Sequence, residues 1–257
     1  MWSVVVPVKR LPDAKSRLAG FSGENRAALA LAFAGDTVAA ALACPLVCAV
    51  FAVTGDTRVA GRLRALGARI VADDGPDGLN GAVETGRLRA LADDPRCRVA
   101  ALTSDLPGLL TRDLTEALAA APGSRAFVPD TPGSGTTLLL SDRLGALGPR
   151  FGVNSRYAHE ASGALLLAGA GRSLRRDVDT VEDLADAIRL GVGPYTAAAL
   201  DRIGWRTYRG PASDYADADS DYADSEHADA QNSAVEGAAS GCAAAKHDPR
   251  RCDRALR

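Results

Sequence analysis

Val4-Val5-Val6-Pro7-Val8 is an unbroken apolar run of strand length close to the start of the chain. A strand that is apolar on both faces has to be covered on both faces. Working outward from it, runs of the same kind return at residues 46–53, 68–72 and 99–103. The stretches between them have helical character. Residues 25–43 are rich in Ala and Leu, contain no Pro, and end at Cys44-Pro45. Val59, Leu63 and Leu66 recur at helical spacing, and Gly67 stops that segment. Residues 79–91 and a segment opening at Thr111-Arg112-Asp113-Leu114 read as further helices. Residues 126–129 and 136–140 are strand-like, 155–168 reads as one helix, and Leu184, Ala187 and Ile188 mark the last helix. Strands alternating with helices predict an α/β fold, Rossmann-like, with a mainly parallel sheet and helices on both faces. In such sheets ligands bind beyond the carboxyl ends of the strands.

Composition sets bounds on function. The 257 residues carry a formal net charge of -2, which argues against a nucleic-acid partner and makes any basic site local. The five cysteines are odd in number and form no disulfide framework, and Cys44 and Cys48 read as buried small hydrophobes. The longest apolar runs fall short of a membrane span, and Met1-Trp2-Ser3-Val4 carries no charged leader. The expectation is a cytoplasmic protein with no membrane partner. After about Arg209 the composition changes. Residues 211–230 hold six Asp and one Glu with no Lys or Arg, followed by a Gly-, Ala- and Ser-rich stretch and a basic end. Too few large apolar residues remain there to offset chain entropy. We therefore expect a folded domain over 1–208 and a low-complexity, disordered tail over 209–257.

Five constellations carry chemistry. Lys9, Arg10, Lys15 and Arg17 crowd the loop after the first strand, where they can neutralise a polyphosphate; a solvated surface loop is the plain alternative. In Leu102-Thr103-Ser104-Asp105-Leu106-Pro107, Asp105 directly follows a buried strand, and its hard oxygens suit Mg²⁺ beside phosphates. Asp177 and Asp179 offer a second metal ligand, while Thr180 and Asp183 fit a helix-capping signal. The glycine-rich stretch 73–81, with Gly78 and Asn80, suits a tight loop that approaches a base or ribose. Gly133-Ser134-Gly135-Thr136-Thr137 and Phe151-Gly152-Val153-Asn154-Ser155 lead into a strand and a helix start, where free backbone N–H groups suit a small acid. His159 reads as a surface or packing histidine in preference to a base. A Walker phosphate loop, a Ser-His-Asp elbow and zinc-ligand spacing are all missing from the sequence.

From Ser3 to about Leu200 the chain resembles the guanylyltransferases of coenzyme F420 biosynthesis, which act on 2-phospho-L-lactate or phosphoenolpyruvate. The resemblance rests on Pro7-Val8-Lys9, Ala14-Lys15-Ser16-Arg17-Leu18, Ser104-Asp105-Leu106-Pro107, the pairing of Gly135-Thr136-Thr137 with Gly152 and Ser155, and Asp177-Val178-Asp179-Thr180. It implies transfer of GMP from GTP to the acceptor, with Mg²⁺ and release of pyrophosphate. It implies that Thr137, Gly152 and Ser155 hold the acceptor and that Asp105 is the first metal ligand. The second falls at Asp177 or Asp179, with the choice open. Lys9, Lys15 and Arg17 would then face the triphosphate. The wider superfamily carries a Leu-x-Gly-Gly-x-x-x-Arg loop after its first strand, and Val8-Lys9-Arg10-Leu11-Pro12 stands here instead. The residues alone leave open another nucleotide, another acceptor such as a sugar phosphate or 3-phosphoglycerate, a non-catalytic nucleotide-binding module, and the oligomeric state.

Overall fold

The apolar run that opens the chain lies in the middle of the sheet. This computed structural model describes residues 1–205 apart from 12–14, 16, 19, 74, 76, 77 and 143, so the tail expected over 209–257 lies outside the described residues. Strand β1 (Trp2–Pro7) is buried at every position. It pairs in parallel with β2 (Val47–Thr54) on one side and β4 (Arg98–Leu102) on the other. β3 (Arg69–Ala72) continues the parallel sheet beyond β2. Beyond β4 come antiparallel β6 (Thr136–Leu140), then β5 (Ala126–Pro129) and β7 (Leu165–Leu166). Among the described residues the order is β3-β2-β1-β4-β6-β5-β7, with β6 alone reversed. The order changes direction between β1 and β4. Connections leaving to opposite sides open a crevice at the carboxyl ends of those two strands.

Alternation along β1 supplies two cores. Val4 and Val6 join one cluster, packed under α1 (Gly23–Leu42), α2 (Thr57–Ala65) and α4 (Thr111–Ala119) through Ala34, Val59, Leu63 and Leu114. Val5 points to the other, against Val83 and Ala90 of α3 (Gly78–Asp93). Each buried Val or Leu among them contributes about 1.5–3 kcal/mol by leaving water. Gly86 of α3 lets that helix approach closely, because a Cβ there would overlap Val5 and Val53. A third cluster joins Leu18, Leu29 and Phe33 to α7 (Val181–Leu190) and α8 (Pro194–Arg202). Leu18 ties the far end of the basic loop into that cluster.

Capping explains several helix starts. Asp56 caps α2 and also accepts the amide of Leu11 at 3.1 Å, anchoring the near end of the basic loop. Burial opposes ionisation of Asp56, but the amides of Leu11, Val59 and Arg58 hold its pKa below the usual carboxylate value. Asp36, buried within α1, accepts from Tyr195 and Thr196 at 3.0 and 2.8 Å and so caps α8. Thr180 and Asp183 form the expected capping box at the start of α7.

The structure departs from the sequence reading at three places. The helix expected over 155–168 is two elements: α5 (Ser155–Ala161) ends, Gly163 turns the chain at φ 84°, and β7 follows. The leucine run that follows is equally apolar in either conformation, so the left-handed glycine decides it. Two further helices appear, α6 (Arg172–Arg175) and α8. For α8 the start signal was present, since Pro194 stands at the first helical position. Cys48 is exposed at the beginning of β2, whereas Cys44 is buried. No helix among the described residues is long and apolar enough to cross a membrane.

Candidate active site

A cavity of about 800 Å³ opens at the carboxyl ends of β1 and β4. Lys9, Lys15 and Arg17 line it from the loop after β1, and Thr103, Ser104 and Asp105 line it from the loop after β4. The two loops are joined through α1. Thr37, fully buried there, accepts the amide of Leu106 at 3.1 Å and so fixes the segment that carries Asp105. The segment before α7 is docked onto it, because the amide of Val178 donates to the carbonyl of Asp105 at 3.1 Å. That single backbone bond places Asp177 and Asp179 on either side of a residue tied to Asp105.

Lys15 links the acidic segments. Its ammonium donates to Asp105 Oδ2 at 2.5 Å and to Asp179 Oδ1 at 2.9 Å. The side chain is only 11% exposed, and the backbone adopts φ 55°, a left-handed conformation unusual for lysine. Burial pulls the lysine pKa down, but Asp105 and Asp179 more than offset it, so the pKa is raised and the group stays an ammonium. Burial likewise opposes the charge on Asp179, and Lys15 overcomes it, holding that carboxyl below its ordinary value. At Asp177 the pull of Lys15 is outweighed. Burial and the neighbouring charges of Asp105, Asp179 and Asp130 push its pKa well above the carboxylate range. Arg17 lies at the rim, 74% exposed, with its guanidinium 3.9 Å from Asp179 Oδ2.

Among the described residues two further acids line the cavity: Asp183, already read as a helix cap, and Asp130, which sequence reasoning missed. Asp130 accepts the amides of Ser134 and Gly135 at 2.9 and 2.8 Å. It therefore shapes the Gly133–Gly135 turn, and Asp130-Thr131-Pro132-Gly133 is a turn signature that would have found it. Asp183 is occupied by the capping box. Both carboxylates are thus committed to backbone.

The remaining expected residues sit around the cavity. Gly152 lines it, and its φ of 142° excludes side-chain-bearing residues without strain. Thr137 and Ser155 are buried and do not line the cavity themselves, although Thr103 and Asn154 beside them do. Thr137 accepts the amide of Thr103 at 2.9 Å through its carbonyl, and its hydroxyl has no partner among the described residues. Ser155 opens α5, with its amide bonded to the carbonyl of Gly152 at 3.2 Å. Gly78, at φ 60°, begins α3 beside Leu79, which lines the cavity. Asn80 is engaged by the backbone of Phe151. His159 is fully buried off the cavity, its Nε2 accepting the amide of Arg150 at 2.9 Å and its Nδ1 lying 3.0 Å from the Thr136 hydroxyl. Burial first, then Arg125 and Arg150, push its pKa down to about 4.

Among the described residues, no group of three or more His, Cys, Asp or Glu forms a metal cage. The donors still suit a hard cation whose shell a nucleotide would complete. Asp105 Oδ1 is buried without a partner among the described residues, and Asp177 is crowded by like charge. Mg²⁺ characteristically takes one or two carboxylates, with phosphate oxygens and water supplying the rest.

A sheet of this order, with a basic loop and paired acids at its switch point, defines an α/β protein of the nucleotidyltransferase type. The same fold appears in a Desulfovibrio desulfuricans G20 protein assigned to the nucleotide-diphospho-sugar transferases, at TM-score 0.59 and 19% identity, covering 79% of this chain and 95% of that one. The family model "Guanylyl transferase CofC like" matches residues 2–215, and the chain belongs to that family. A phosphoenolpyruvate guanylyltransferase of Salinispora arenicola (strain CNS-205) is 53% identical over 201 residues, 77% of this chain and 92% of the relative. One from Streptomyces coelicolor is 51% identical over 205 residues, 79% and 97% of the two chains.

Proposed function

We propose that this protein transfers GMP from GTP to the phosphate of phosphoenolpyruvate and releases pyrophosphate, as a step of coenzyme F420 biosynthesis. The observation that carries the reading is the Lys15 ammonium, bonded inside one cavity to carboxylates of the loop after β4 and of the segment before α7. The choice of GTP and phosphoenolpyruvate rests on the half-identical relatives, which carry that activity in their names.

Among the described residues, the cavity is lined by three cations, Lys9, Lys15 and Arg17, and by five acids, Asp105, Asp130, Asp177, Asp179 and Asp183. Two polyanionic substrates would not gather there without further positive charge. Since Asp130 and Asp183 are committed to backbone amides, Asp105, Asp177 and Asp179 are the residues that would hold Mg²⁺. Bound there, the cation would neutralise charge on the nucleotide phosphates and on the acceptor.

In the reaction, an oxygen of the phosphoenolpyruvate phosphate attacks the α-phosphorus of GTP. A new P–O bond forms as the α–β bridge breaks, and pyrophosphate leaves with the electron pair. The nucleophile is anionic at neutral pH, so the protein need not remove a proton, in keeping with a histidine buried off the cavity. The chain's own task is positioning and charge compensation. Lys15 stays protonated and offers its ammonium to the triphosphate, while Lys9 and Arg17 attract it at the mouth. Gly152 and the buried Thr137 and Ser155 shape the acceptor end. The test is pyrophosphate release from GTP with phosphoenolpyruvate and Mg²⁺. Turnover by the wild type and its loss in Asp105→Ala support the assignment; an active Asp105→Ala enzyme removes it.

A further inference from the structure

Asn80 makes two hydrogen bonds to a single residue far away in the chain. Its Nδ2 donates to the carbonyl of Phe151 at 3.0 Å, and its Oδ1 accepts the amide of Phe151 at 2.7 Å. A primary amide presents a donor and an acceptor side by side, and here both meet one backbone residue as a neighbouring strand would. The opposite side of the same loop is held by His159. Its Nε2 takes the amide of Arg150, and its ring meets the Phe151 ring edge-on, with centroids 5.2 Å apart.

What lies beyond Phe151 explains the need for two holds. The chain turns through Gly152 at φ 142° and Asn154 at φ 57°, both outside the range most residues adopt. Asn154 stands at the start of α5 without a side-chain cap. A path of this kind persists only where the surroundings over-determine it. The turn also lines the cavity, through Phe151, Gly152, Val153 and Asn154.

We propose that Asn80 is a positioning residue for the acceptor acid: by clamping the backbone of Phe151 from the first turn of α3, it fixes the Gly152–Ser155 turn that receives phosphoenolpyruvate. The inference rests on the acceptor site proposed above and moves Asn80 from the nucleotide, where the glycine-rich stretch 73–81 suggested it, to the acceptor. Through the same bonds, α3 couples the Leu79 side of the cavity to the acceptor turn.

The experiment compares Asn80→Ala and Asn80→Asp with the wild type in the full chain. The readouts are KM for phosphoenolpyruvate and for GTP, calorimetric affinity for GTP with Mg²⁺ in the absence of acceptor, and Tm. Losing two neutral hydrogen bonds should raise the acceptor KM about tenfold. GTP affinity should stay within about twofold and Tm within about 5 °C. Asp has the shape of Asn but sets a carboxylate against the Phe151 carbonyl, so Asn80→Asp should be at least as impaired as Asn80→Ala. A loss of GTP affinity with unchanged acceptor KM would make Asn80 a nucleotide residue and overturn the proposal. An equal loss of both, with a large fall in Tm, would overturn it in favour of a purely structural role. A wild type that shows no turnover with phosphoenolpyruvate contradicts the function reading itself. Turnover with acceptor KM unchanged in both variants contradicts only the role of Asn80.

Discussion

Lys15 Nζ lies 2.5 Å from Asp105 Oδ2, although 90 positions of sequence separate the two residues. The loops after β1 and β4 meet at that contact, and Asp179 closes it from a third segment. Replacing Lys15 by Met keeps most of the stem and removes the charge. We expect kcat/KM to fall by about 100-fold or more, the usual scale for one preorganised charge contact. Asp105→Asn should fall as far. Because the residues touch, the double variant should be far less impaired than the sum of the single effects, which a double-mutant cycle on pyrophosphate release would read.

Asp130 holds the Gly133–Gly135 turn at the edge of the cavity. Gly135→Ala would drive a methyl group into the Asp130 carboxylate, and Asp130→Ala would strip both amide acceptors from the turn. Both changes should lower turnover, and Asp130→Ala should cost about 1–3 kcal/mol of stability by leaving buried amides unpaired. Urea unfolding together with initial rates checks the pair. Full activity in Gly135→Ala would mean that the turn is not part of the site.

His159 gives a pH dependence of stability with a definite sign. Its pKa is about 4 in the folded protein against 6.5 when free. Between those values the unfolded chain binds the extra proton, so stability is present above 6.5 and is lost as pH falls toward 4. Lowering pH from 8 to 5 should remove roughly 2 kcal/mol through this group. Comparing the wild type with His159→Gln isolates the effect from the carboxylates, and the variant should show a shallower acid slope.

Far from the site, Gly86→Ala should destabilise by about 1–3 kcal/mol, because the added methyl meets Val5 and Val53 on the sheet. KM for both substrates should change little, since α3 bears on the cavity only through its first turn. Denaturant unfolding and steady-state kinetics measure the two halves of that expectation.

The central strands were legible because they are buried on both faces. Apolar runs at Val4, Phe51 and Ala100 have no polar face to confuse the reading, and β5 and β6 fall at the residues expected. The end of α5 was not legible, because Ala164-Leu165-Leu166 is as apolar in a helix as at a sheet edge, and only the φ of Gly163 separates them. For the site, a strand-end position was enough to bring Lys9, Lys15, Arg17 and Asp105 to one cavity. The bond from Val178 to the Asp105 carbonyl is a backbone event with no sequence signature, so the alternating acids Asp177 and Asp179 could be read as candidate ligands but not placed beside Asp105 from their own pattern. The contact of Asn80 with Phe151 was not legible, because 71 positions separate the two residues and no local pattern announces it.

The most direct test is to identify the product. The purified chain is offered GTP, ATP or CTP with Mg²⁺ against phosphoenolpyruvate, 2-phospholactate and 3-phosphoglycerate, and the products are read by mass spectrometry. The account predicts a pyrophosphate-linked adduct of GMP and phosphoenolpyruvate, dependent on Asp105 and Lys15. An adduct formed preferentially from another nucleotide or another acid, or no adduct at all, would contradict it.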